Sequence, residues 1–149
     1  MRKTLFLFLL AVSASFVLSC SKSSDEDIDP ALTGTWYLDR TAYYLDGKLM
    51  GTEPAEGCDT ATNIQFAENY EITYEKVLIC NGYSILTGVY DPETELVKLF
   101  YRGDEEAYDA KINLENNELR MEITFEPYDE NSGVESDVHY FRKGAPKED

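Results

Sequence analysis

From Gly34 onward, apolar and polar residues alternate along the chain. Tyr108, Ala110, Ile112 and Leu114 alternate with Asp109, Lys111 and Asn113, and Leu119, Met121, Ile123 and Phe125 with Arg120, Glu122 and Thr124. Successive side chains of a strand point to opposite faces, so these runs predict strands with one dry and one wet face. Turn signals divide them: Asp46-Gly47, Glu68-Asn69, Asn81-Gly82, Asp91-Pro92-Glu93-Thr94, Gly103-Asp104 and Asn116-Asn117. Strands are predicted at 34–45, 62–67, 70–79, 83–90, 95–101, 108–114, 119–126 and 134–142. Residues 48–57 carry Gly51, Pro54 and Gly57 and read as a loop, as does the polar stretch 127–133. Gly88, inside a strand, marks a bulge or bend.

The pattern predicts an all-β domain. A sheet of about eight strands with one dry face either closes on itself or splits into two layers. Hairpin-length connections favour closure, an eight-stranded antiparallel up-and-down barrel; a β-sandwich is the alternative. Residues 32–143 are enough chain for one domain with one core.

The N-terminus is of another kind. Residues 1–19 have a basic start in Arg2 and Lys3 and an apolar centre from Leu5 to Val12, too short for the ~20 residues of a membrane span. This is the pattern of a cleaved secretory signal. Val17-Leu18-Ser19-Cys20 resembles the lipobox of bacterial lipoproteins, in which the cysteine is lipidated and becomes the mature N-terminus. That resemblance implies an outer-membrane lipoprotein, held by lipid on Cys20 and facing the periplasm or the cell surface. Residues 20–31, with Asp25-Glu26-Asp27 and Pro30, form a polar acidic tether expected to be disordered, as is the tail 144–149. Acids shortly after the cysteine also resemble a surface-export signal.

Charge narrows the partners. The chain carries −16 at pH 7, and removing 1–19 takes away Arg2 and Lys3 and no acid, leaving −18. Phosphates of nucleic acid and anionic head groups would both be repelled. Beyond Cys20 the cysteines are Cys58 and Cys80, an even pair expected to form a disulfide outside the cytoplasm. A thiolate metal site is disfavoured, because no Cys-x-x-Cys occurs and His139 is the only histidine. No cofactor or metal motif is present. The stretch 129–133 resembles a calcium loop only faintly, and Asp59-Thr60-Ala61 matches a short O-glycosylation acceptor. His139 has no nucleophile partner in the sequence and no carboxylate pair can be singled out, so no enzyme is expected.

Gly34-Thr35-Trp36 opens the first strand and Phe141-Arg142-Lys143 closes the last. A Gly-x-Trp there, with a basic residue on the final strand, resembles the lipocalins, here in the reduced form of small bacterial lipoproteins. The resemblance implies that Trp36 sits at the closed end with a basic side chain across it. Arg142 is the better match, since a guanidinium lies well on an indole. It also implies a monomer that binds a small hydrophobic molecule inside the barrel, although no ligand-binding residue can be assigned. The alternative is an interaction or structural lipoprotein with a solid core, binding a protein or glycan through strand-end loops, with Tyr43, Tyr44 and Tyr83 as contacts.

Overall fold

The computed structural model describes residues 29–80, 82–101, 107–127, 129 and 132–146. Among the described residues nine strands form one sheet: β1 (Gly34–Leu45), β2 (Lys48–Pro54), β3 (Asn63–Phe66), β4 (Glu71–Ile79), β5 (Gly82–Asp91), β6 (Leu96–Tyr101), β7 (Ala107–Glu115), β8 (Glu118–Phe125) and β9 (Glu135–Lys143). Every neighbouring pair is antiparallel, and β9 returns to pair with β1. The predicted barrel is therefore closed, with eight strands in the wall and β2 outside it.

The extra strand corrects the reading of 48–57 as a loop. Asp46 and Gly47 both take positive φ, 51° and 73°, the tight turn whose twist suits a hairpin. That turn folds β2 back onto the outer half of β1, while the first half of β1 pairs with β3. Gly51 and Pro54 are tolerated because β2 is an edge strand. A 3-10 turn, Gly57–Ala61, then fills the gap between β1 and β4 above the short β3. Thr62 secures this filler: its carbonyl accepts the Leu38 N–H at 2.9 Å, and its hydroxyl accepts the Val77 N–H at 3.1 Å.

Registers fix which side chains enter the barrel. Trp36, Ile64, Tyr74 and Leu86 lie across neighbouring strands and all point in. A bulge at Asp39 shifts the β1 alternation, so Leu38 and Thr41 both face inward, opposite Phe141 and His139. The interior is filled by one continuous apolar cluster including Trp36, Ile72, Leu99, Ile112, Met121 and Phe141. Tyr74 meets Phe141 edge-on with ring centres 6.2 Å apart, and Phe66 meets Tyr90 likewise at 5.9 Å.

The two ends differ. At the lower end the chain enters through a turn at Pro30–Leu32, so the described chain is folded from Asp29 although the sequence predicts disorder up to Ala31. Leu32 plugs the core, and its carbonyl accepts a 2.8 Å hydrogen bond from Trp36 Nε1. Lys143 Nζ donates to the Ala31 carbonyl at 2.9 Å. At the upper end lie β2, the 3-10 turn and the Cys58–Cys80 disulfide, which joins that turn to the end of β4.

Candidate functional site

Two recesses stand out among the described residues, one inside the barrel's upper end and one on its outer wall. The inner recess is formed where the apolar filling stops. Leu38, Thr41, Tyr74, Lys76, Asp137 and His139 line a space of about 120 Å³. That is room for about four water molecules at ~30 Å³ each, well below the ~300 Å³ of ordinary ligand pockets. Its chemistry is polar. Thr41 Oγ1 and His139 Nδ1 share a hydrogen bond at 3.0 Å. The Tyr74 hydroxyl is buried and has no hydrogen-bond partner among the described residues; burial raises its pKa. Burial, then the Lys76 charge, push His139 down to about 4, so it is neutral at pH 7. Burial raises Asp137, against the opposing pull of Lys76. An imidazole held that low is a weak base at neutral pH.

The outer recess is larger, about 950 Å³, and lies on the outer faces of β4–β7, toward the lower end. Its origin is Gly88. A side chain there would overlap the Lys98 carbonyl and Val97, so only glycine lets β5 and β6 approach so closely. The β5–β6 ladder pairs Leu86, Thr87, Tyr90 and Asp91, and skips Gly88 and Val89. The sequence signal of a bend is met here, and it leaves a concave outer wall. Val89, Leu96 and Phe100 point out of the barrel there and are 63%, 49% and 38% exposed. Glu71, Asp91, Asp109 and Lys98 stand around them.

The wall formed by β8, β9 and β1 is finished differently. Ala42 and Val138 also face outward, yet are 4% and 0% exposed. They share this outer face with charged and aromatic side chains of the same strands. Arg40 grips both carboxylate oxygens of Glu118, the longer contact being 2.8 Å, and its guanidinium lies 4.1 Å from the centre of the Tyr140 ring. Arg120 holds Glu122 at 2.7 Å.

The residues singled out from the sequence fall as follows. Cys58 and Cys80 are bonded, with Cα atoms 5.2 Å apart. Cys20 lies outside the described residues. Trp36 is at the closed end, 1% exposed, but the cation over it is Lys143, with Nζ 5.4 Å from the ring centre. Arg142 is not its partner: it pairs in register with Tyr37, an outward position, and its Nε is 3.8 Å from Asp39. A step of one residue along a strand reverses the face. Of the tyrosines, Tyr83 is exposed at 67%. Tyr43 lines the inner recess, its hydroxyl donating to Glu53 at 3.0 Å. Tyr44 is half-buried and hydrogen-bonded to Tyr140, which raises its pKa. The outer groove was the element the sequence reading missed; exposed Val89, Leu96 and Phe100 on one side of Gly88 were its only signal. No protein-family model matches this chain, and no curated protein is significantly similar to it.

Proposed function

We propose that this protein is a lipid-anchored extracytoplasmic lipoprotein whose barrel serves as an interaction module, engaging its partner from the outside. The observation that carries this is the filled interior: side chains from every wall strand occupy it, and the recess at its upper end is polar and only about 120 Å³. An eight-stranded barrel can be solid or can hold one small ligand, and this filling supports the solid kind. The barrel fold is also compatible with the expected apolar cargo, but a fatty acid or comparable molecule needs several times the volume of the inner recess, so the interaction reading is preferred.

The entry of the chain supports the tethered geometry. Asp29–Leu32 is held against the closed end by Trp36 and Lys143. With lipid on Cys20, the nine intervening steps to Asp29 reach at most about 30 Å when fully extended. The closed end is then the one nearest the anchor, and β2, the disulfide and Tyr83 lie at the opposite end.

Two measurements test the reading. Cells fed a labelled fatty acid should label the wild-type protein and not Cys20→Ala; labelling of the variant would remove the anchor. Titration of the purified mature chain with a fluorescent fatty acid should show no saturable uptake. Saturable uptake that persists in Val89→Arg would place the ligand inside and return the carrier reading.

A further inference from the structure

The geometry points to the outer groove on β4–β7 as the docking surface for a protein segment that presents apolar side chains flanked by lysine or arginine. This rests on the interaction reading above and adds where the partner binds and what chemistry it carries.

The groove's volume of about 950 Å³ is at the upper end of sites that enclose small ligands, and it is open along one side. Its floor offers the side chains of Val89, Leu96 and Phe100 together with Thr73 and Thr87. On the opposite wall the outward Ala42 and Val138 are buried, whereas these are bare; Leu49 and Met50, also bare, lie apart from them on the edge strand β2. A contiguous apolar patch rimmed by charge is the usual mark of a binding surface.

The rim decides the occupant. Three carboxylates, Glu71, Asp91 and Asp109, face one amine, Lys98, which is 4.0 Å from Asp109. Asp91 is held as a carboxylate by the hydroxyl of Thr94 and the N–H of Glu93, which lower its pKa. The whole chain is −16, so a cationic partner is favoured at a distance as well as in contact. A second copy would bring an equally negative surface against this rim. The chain's own tether, with Asp25, Glu26 and Asp27, has the wrong sign for the same reason. Anionic lipid and nucleic acid are repelled too. Among macromolecules, a glycan prefers flat aromatic faces, and the groove has one phenylalanine among aliphatic and threonine side chains. Apolar side chains on a basic protein segment fit the floor and the rim together.

The test uses the full mature chain and a displayed library of random short peptides. Selection should yield apolar sequences bearing Lys or Arg. A selected peptide should bind at least about tenfold more weakly to Val89→Arg and to the double variant Leu96→Ser/Phe100→Ser, with Tyr83→Ser unchanged. Val89 is the most exposed of the three, so its substitution leaves the core alone; Trp36 emission reports that each variant is folded. Selection of acidic peptides, equal binding to the groove variants, or immobilised oligosaccharide binding that is lost in Val89→Arg would each overturn the assignment. Peptide binding lost only in Tyr83→Ser would move the docking site to the upper end and leave the interaction reading standing. No selected peptide, together with saturable fatty-acid uptake, would remove both.

Discussion

The two outer walls of this barrel solve the same problem in opposite ways. Each has apolar side chains on its wet face: Ala42 and Val138 on β1 and β9, and Val89, Leu96 and Phe100 on β5 and β6. On the first wall the apolar residues are buried, and on the same face Arg40 pairs with Glu118 and stacks on Tyr140 while Arg120 pairs with Glu122. On the second, the flanking residues are threonines, acids and Lys98, whose side chain is 71% exposed, and the apolar side chains stay bare beside the Gly88 bend. Long amphipathic side chains can bury apolar surface while keeping their heads in water. Where a sheet supplies them, the wall is complete in itself; where it does not, the apolar surface is left for something else.

The sharpest way to break this comparison is to charge both walls. Val138→Asp places an uncompensated carboxylate at a buried position in register with Glu122, and is expected to cost roughly 3–5 kcal/mol. Val89→Asp makes the same chemical change on the bare wall, where surface substitutions stay within about 0.5 kcal/mol. Urea unfolding midpoints of the two variants measure the difference. Equal losses would mean that the groove is covered in solution.

The interior between the walls adds a pH dependence that belongs to β9. Unfolded, His139 takes up a proton near pH 6.5; folded, near 4. Between those values the unfolded chain holds more protons, so the contribution of His139 is complete above pH 6.5 and is lost as pH falls toward 4. The loss approaches about 3 kcal/mol at 1.36 kcal/mol per unit. Asp137 acts oppositely, because its raised pKa lets the folded state keep a proton longer, offsetting part of the loss as pH falls. Stability measured from pH 7 down to 4.5 should therefore fall less steeply in His139→Gln than in wild type, and more steeply in Asp137→Asn. Identical slopes in all three would show His139 to be solvated.

A smaller contrast comes from the ion pairs. Arg40→Ala removes a two-pronged contact to Glu118 and the cover over Tyr140, and should cost about 1 kcal/mol because the pair is one-third exposed. Lys98→Ala breaks a 4.0 Å pair whose side chains are 71% and 76% exposed, and should leave the thermal midpoint unchanged. A similar shift in both would say that the Arg40 contacts add nothing to the wall.

The barrel was legible in the sequence because alternation and turns are local. Asn116-Asn117 and Asp46-Gly47 each adopt two successive positive φ values, as hairpin turns require. The β2 strand was not legible, since its residues are exposed on both sides and alternate in nothing. Its pairing is imposed by the turn before it. Tyr43 and Tyr44 were read alike, but one faces the interior and one the outside, because adjacent residues must. The groove escaped because it depends on where Gly88 meets β6, a non-local approach that no spacing encodes.

The same parity governs the finest test, at Lys143 and Arg142. These neighbours on β9 differ by one step, so Lys143 reaches inward over Trp36 while Arg142 lies on the covered wall beside Asp39. Lys143 also holds the entering chain through the Ala31 and Pro30 carbonyls, at 2.9 and 3.4 Å. Lys143→Ala should therefore loosen that latch, admit acrylamide to the indole and shift its emission, at a cost of about 0.5–1 kcal/mol. Arg142→Ala should leave the emission where it is. Because the chain has one tryptophan, the signal comes from Trp36 alone. The reverse pattern, with emission moved by Arg142→Ala and unmoved by Lys143→Ala, would mean that β9 is shifted by one residue against β1. That shift would also exchange the inward and outward positions of His139 and Val138, so this small optical change checks the register on which both walls depend.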